Sequence, residues 1–283
     1  MFYGEKPLNK KCAKTAYSNE TALFMAKAAR LAYEPYKNFC RLSESELSVK
    51  KNDIYHSTFE SSQVFIFEHQ DSVVVVFRGT EMMRIEDWVS DLKFKTVALR
   101  DGSAHVGFLS AYRFVAGDIV ATVLSLLNKK KNSKLYITGH SLGGAAAFVC
   151  AYEFYLLGLR VSGVYTFGQP RVADKKLYKN FPEDLSSCIY RFANDNDIVP
   201  RVPPRKMGFM HIGNPRFFTE DGKLHMDKKE WRKFKRKCPQ KAKTVLGRLF
   251  ELVGQYVRKI GDNTIELLTD HKIDEYVKFL EKL

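Results

Sequence analysis

Residues 134–148 read KLYITGHSLGGAAAF, and this stretch decides the fold. Leu135, Tyr136, Ile137 and Thr138 form a short apolar run that predicts a buried strand. The apolar stretch over 141–157 predicts a helix, with Gly158 as its cap. Between them stands Gly139-His140-Ser141-Leu142-Gly143, the pattern G-x-S-x-G. A serine in that context sits on a sharp strand-to-helix turn, its hydroxyl exposed above the sheet edge. The glycines two residues either side remove Cβ atoms that would clash in the turn. The following helix aims its N-terminal N–H groups at Ser141, which suits a developing oxyanion.

The same alternation continues outward. Residues 63–67 and 73–77 are β-branched and aromatic, and the HQDS between them predicts a hairpin turn. Residues 105–128 carry a helical pattern that runs into Asn-Lys-Lys-Lys, a cationic end that suits the helix dipole. Strands are expected over 161–167 and 188–193, with a helix over 174–180 between them. Upstream, 18–33 predicts an amphipathic helix capped by Ser18 or Asn19. Strands alternating with helices imply an α/β fold, a mainly parallel central sheet flanked by helices on both faces. No internal repeat or low-complexity linker interrupts the chain. A single domain over 1–283 is expected, with a basic insertion at about 223–260.

Composition sets the outer bounds. The chain has 283 residues, 45% hydrophobic and 28% charged, enough to bury a full core without disulfides or metal staples. The longest apolar stretch, 145–159, is interrupted by Glu153 and is too short to span a bilayer. The N-terminus carries charges throughout and no apolar core of a signal peptide. Cys12, Cys40, Cys150, Cys188 and Cys238 show neither a disulfide framework nor zinc spacing. These features together predict a cytoplasmic setting.

The net charge of +14 is concentrated. Residues 223–259 hold 13 Lys+Arg against 3 Asp+Glu, a net of +10. The densest part is KKEWRKFKRK, with Lys233, Lys235, Arg236 and Lys237. Leu246, Leu249, Phe250, Val253, Val257 and Ile260 then recur at helical spacing. A charge run leading into an amphipathic helix reads as a peripheral contact for an anionic membrane. A solvated loop before a core helix explains the pattern equally well. No nucleic-acid module accompanies the run, so no nucleic-acid partner is expected.

A serine nucleophile needs a base, and the base needs an orienting carboxylate. On an elbow of this type the partners follow in the order Ser, Asp, His. Asp195 and Asp197 are the acidic candidates near a strand end, and His211, His225 and His271 are the later histidines. Spacing alone does not choose among them.

Eight segments in order resemble the class 3, or fungal-type, lipase family of the α/β-hydrolase superfamily. They are FRGT (77–80), DWVSDLKF (87–94), HVGF (105–108), GHSLGGA (139–145), TFGQPRV (166–172), NDIVPRVPP (196–204), HIGNPRFF (211–218) and DHKIDEY (270–276). The resemblance implies an α/β-hydrolase fold and a serine esterase acting on acylglycerols, with no cofactor and no metal. It implies a triad of Ser141, Asp197 and His271 and leaves Asp195 as a turn residue. It implies an oxyanion hole from the N–H groups of Thr80 and Leu142. It places a lid over 81–92, with Met82, Met83, Ile85, Trp88 and Val89 on an apolar underside. His211 and His105 become structural and His140 fixes the turn by a hydrogen bond; His225 has no counterpart in the family and is expected to be exposed. A phospholipase A1 acting on anionic membranes stays as the alternative, and a non-catalytic membrane-binding protein as the alternative of another class.

Overall fold

The computed structural model describes residues 17–60, 62–79, 95–130, 132–195, 197–226 and 271–283. Helix α1 (Asn19–Leu31) starts on Ser18, whose hydroxyl accepts from the Thr21 N–H. Helix α2 (Tyr36–Leu47) follows, then β1 (Ile54–Phe59), β2 (Ser62–His69) and β3 (Ser72–Phe77). A two-stranded sheet of β4 (Thr96–Ala98) and β5 (Ser103–His105) precedes α3 (Val106–Arg113) and α4 (Ala116–Lys129). Then come β6 (Lys134–His140), α5 (Leu142–Leu156), β7 (Gly163–Phe167), α6 (Lys175–Asn180), α7 (Glu183–Ser187) and β8 (Ile189–Asn194). The remaining elements are β9 (Asn214–Phe218), β10 (Leu224–His225) and α8 (Ile273–Leu280).

The main sheet has the order β1-β2-β3-β6-β7-β8-β9-β10. The five strands from β3 to β9 pair in parallel, and both flanks are antiparallel. The α/β-hydrolase expectation holds, with the hairpin 63–77 as its antiparallel flank.

Both faces of the sheet are buried, and they differ in kind. Val64, Ile66, Val73, Val75, Val164 and Ile189 pack on the side of α3, α4 and α5. Phe65, Phe67, Tyr165, Phe167, Tyr190 and Phe192 pack on the side of α1, α2 and α8. In β2, β7 and β8 period-two alternation sorts aliphatic from aromatic side chains. Helix α1 meets the aromatic face with Ala22, Ala26, Ala28 and Ala29, all fully buried, so rings fit beneath a slim helix. Phe39 of α2 stacks on Phe65 at 3.7 Å between centroids. A one-residue slip would drive rings into the space of valines, and overpacking of that kind costs about 1–3 kcal/mol per site. Side-chain size therefore sets the register of β2, β7 and β8.

One helix expected over 105–128 is two. His105 ends β5 and caps α3, its Nδ1 accepting from the Gly107 N–H at 3.2 Å. The chain then bends by 54° between α3 and α4. The bend turns Val115 into the core and leaves Phe114 exposed. No single helix among the described residues is long and apolar enough to cross a membrane. Helix α5 is apolar on nearly every side, Glu153 excepted, because its turns are buried between the sheet and α3.

Candidate active site

Strands β6, β7 and β8 run in parallel, so the loops at their C-terminal ends meet above one sheet edge. Ser141 follows β6, Gly168 follows β7, and Asp197 follows β8. This is the edge where ligands bind in open parallel sheets.

Ser141 has φ 57° and ψ −126°, a left-handed conformation for a residue with a Cβ. Such a backbone costs about 1–3 kcal/mol and persists only where its surroundings hold it. Here the Ser141 N–H donates to the Phe167 carbonyl at 2.9 Å, and α5 starts directly after it. The glycines are required by space. A Cβ on Gly139 would lie 2.3 Å from the Gly143 carbonyl oxygen, and one on Gly143 would lie 2.4 Å from that of Phe77. Leu142 is the first residue of α5, so its N–H has no partner within the helix and faces the elbow.

The structure brings Asp197 and His271 together, although 74 residues separate them. His271 Nδ1 donates to Asp197 Oδ2 at 2.9 Å, with Oδ1 at 3.0 Å. That fixes the tautomer and leaves Nε2 as the basic nitrogen. Asp197 also accepts from the Val199 N–H at 2.9 Å and from the Tyr276 hydroxyl at 2.5 Å. Both residues are buried, as is Ser141. Ser141 Oγ and His271 Nε2 are buried atoms without a hydrogen-bond partner, so the candidate nucleophile and the candidate base are not hydrogen-bonded to each other. Such bonds are often loose in a free enzyme and tighten on substrate.

The loop carrying Asp197 is stitched down by arginines. Arg171 Nη1 donates to the Pro203 carbonyl at 2.9 Å and also to that of Arg201. Arg201 reaches back to the carbonyls of Asp195 at 2.6 Å and Asp197 at 3.4 Å. Burial and the nearby Arg201 and Arg205 lower the Arg171 guanidinium to about 10, where it still carries its charge at neutral pH. Asp195 thus lies in the turn, through its main chain, and Asp197 is the residue that meets His271.

The other histidines are elsewhere. His211 Nε2 bonds the Pro200 carbonyl at 2.8 Å, within the same loop. His105 stacks on Phe108. His225 is half-buried, correcting the expectation of exposure, because its ring stacks on Phe217 at 4.9 Å. His140 was expected to fix its own turn, but its ring nitrogens bond elsewhere. It reaches across the fold to Tyr33 and to the main chain of His271. Tyr33, Gly168 and Tyr276 are site residues that sequence reasoning missed. Tyr276 and Gly168 left a signal, as the last residue of the DHKIDEY motif and the third of TFGQPRV, and Tyr33 left none. Thr80, Met82, Met83, Ile85, Trp88, Val89, Lys233, Lys235, Arg236 and Lys237 lie outside the described residues.

The family model described as Lipase (class 3) matches residues 74–207, from β3 through the elbow to the loop after Asp197. A solved structure of Rhizomucor miehei lipase in complex with its propeptide is 30% identical. It matches with a TM-score of 0.57 over 73% of this chain and 70% of that one. The chain belongs to the class 3 lipase family. The Rhizomucor miehei lipase sequence is 37% identical over 54% of this chain and 44% of its own length. The secreted mono- and diacylglycerol lipase 1 of Fusarium solani is 35% identical over 55% of this chain and 46% of its own. The chain thus aligns with less than half the length of these curated relatives. The expectation of a cytoplasmic setting is corrected by the same comparison, since a matched relative of this lipase-family chain is secreted.

Proposed function

We propose that this chain, as a single-domain serine lipase, hydrolyses the carboxylic ester bonds of acylglycerols through an acyl-enzyme. The observation that carries the reading is the buried His271–Asp197 pair beside the strained Ser141 elbow. His271 Nε2 takes the Ser141 proton as Oγ bonds the ester carbonyl carbon. Asp197 holds His271 in its tautomer and stabilises the imidazolium. The Leu142 N–H, with that of Thr80, stabilises the oxyanion. Collapse expels the alcohol, which takes the proton from His271, and water then releases the fatty acid by the same steps. The acylglycerol class comes from the likeness to a mono- and diacylglycerol lipase. Met82, Met83, Ile85, Trp88 and Val89 supply an apolar lid underside, useful against lipid and costly in water.

Initial rates over tri-, di- and monoacylglycerols, phospholipids and short nitrophenyl esters test this. Neutral acylglycerols should be cleaved faster than phospholipids, and long-chain rates should rise steeply once droplets form. Faster phospholipid cleavage would favour the phospholipase A1 reading instead. No turnover of any ester would leave a binding protein on a hydrolase scaffold.

The basic run gives a second measurement. Anionic membranes attract about 1 kcal/mol per basic residue held near the surface, and salt screens this beyond about 10 Å at 0.1 M. Co-sedimentation with anionic vesicles should fall as salt rises. It should be lost when Lys233, Lys235, Arg236 and Lys237 are all changed to Glu, with short-ester activity kept. Equal binding to neutral and anionic vesicles would rule out the electrostatic contact.

A further inference from the structure

His140 immediately precedes the nucleophile, yet both its ring nitrogens bond residues outside the elbow. It is buried and lies 4.5 Å from the His271 ring, centroid to centroid, tilted by 32°. Its Nε2 sits 2.6 Å from the main-chain carbonyl oxygen of His271. A carbonyl only accepts, so Nε2 carries a proton and donates. Its Nδ1 lies 2.7 Å from the Tyr33 hydroxyl. Burial, and then the neighbouring His271, hold the His140 ring well below the ordinary histidine range. The ring is therefore neutral, Nδ1 is an acceptor, and the Tyr33 hydroxyl donates to it. Tyr33 is itself kept in its protonated form by burial.

Space for this contact is provided by Gly79. A Cβ there would lie 2.1 Å from the Tyr33 hydroxyl and 2.5 Å from the His140 carbonyl. The Tyr33 hydroxyl thus reaches His140 only because position 79 has no side chain.

We infer that His140 is a positioning residue for the base: fixed in one tautomer by Tyr33, it clamps the main chain of His271 and so ties the base to the elbow that carries Ser141. Main-chain tethering matters here because His271 is hydrogen-bonded to the triad acid only through its side chain. The Nδ1 contact to the Asp197 carboxylate orients the ring, while the bond at the carbonyl holds the main chain from which the ring is carried. A neutral clamp is also the form compatible with His271 becoming cationic 4.5 Å away. The inference deepens the esterase reading and rests on it for its kinetic consequence.

Tyr33→Phe, His140→Ala and His140→Gln test it. Each is measured as kcat and KM on a soluble short-chain ester, and by the downfield proton resonance of the His271–Asp197 pair. A small misplacement of reacting groups costs on the order of 100-fold, so His140→Ala should lose about that in kcat with KM within about twofold. Tyr33→Phe, which deletes one oxygen, should lose roughly tenfold by the same reasoning. His140→Gln should recover about tenfold over His140→Ala, because its amide can still donate to the His271 carbonyl. If His140→Ala does not fold, Tyr33→Phe and His140→Gln decide alone. Unchanged kcat and an unchanged downfield proton in folded Tyr33→Phe overturn the inference, as does a Gln variant no better than the Ala one. A wild-type protein that cleaves no ester, but whose downfield proton is lost in the variants, would remove the esterase reading and leave the clamp standing.

Discussion

Replacing Ser141 with alanine is expected to abolish ester hydrolysis while leaving the fold at least as stable as before. The two halves of that result have separate causes. Alanine keeps the Cβ, so the backbone strain at φ 57° stays. It removes a buried hydroxyl that has no hydrogen-bond partner, and deleting an unsatisfied polar group does not destabilise. The chemistry, however, loses its nucleophile. Triad members act as a unit, so Ser141→Ala and His271→Ala should each lower kcat by a factor on the order of 10⁴ or more. Ser141→Gly adds a second check, since glycine relieves the left-handed strain and should raise the melting temperature of an equally inactive protein. His211→Ala is the contrast. Its ring bonds the Pro200 carbonyl, so a loss of stability is expected with turnover retained in the folded fraction. A folded but inactive His211 variant beside an active His271 variant would reverse the assignment of the base.

The parts of the fold legible in the sequence were those whose pattern is local. Strong apolar runs such as SVVVVF, and the strand–Gly–helix series around Ser141, place β3, β6, α5, β7 and β8 within a residue or two. Helices α2 and α7, strand β1, the pair β4 and β5, and strands β9 and β10 went unread. Strand β1 has the burial of an edge, with only Ile54 fully covered, so it lacks a periodic apolar face. The bend between α3 and α4 was also invisible, because Phe114 and Val115 continue a helical apolar pattern across it. Only the sheet beneath decides that Val115 must turn inward.

The candidate site divides in the same way. Ser141 was legible because its turn demands glycines at fixed offsets. Asp197 and His271 were legible only through the likeness to a family, since 74 residues separate them and nothing local distinguishes Asp197 from Asp195. Tyr33 and His140 meet across 107 residues, and the contact depends on the absence of a side chain at Gly79. A contact made by three distant positions leaves no periodic trace in any of them.

Gly168 carries the largest effect expected from a single added methyl group. It follows β7 with φ +57°, directly against the His271–Asp197 pair. A Cβ there would lie 2.6 Å from His271 Cε1, 2.8 Å from His271 Nδ1 and 3.0 Å from Asp197 Oδ2. No cheap relaxation exists, because Asp197 is held by Val199 and Tyr276 and the His271 main chain by His140. The imidazole must yield, and a shift approaching 1 Å in a base costs about 100-fold in rate. Gly168→Ala should therefore lower kcat by at least that factor, with KM nearly unchanged. Left-handed strain adds about 1–2 kcal/mol of destabilisation. Gly158 separates the two effects. It caps α5 with φ +76°, and a Cβ there would meet nothing within 4 Å. Gly158→Ala should show the same loss of stability in urea with full activity. If Gly168→Ala matches Gly158→Ala in both stability and kcat, the close packing beneath His271 has no catalytic role. If Gly168→Ala alone loses turnover, the glycine after β7 is kept for the space that the base occupies.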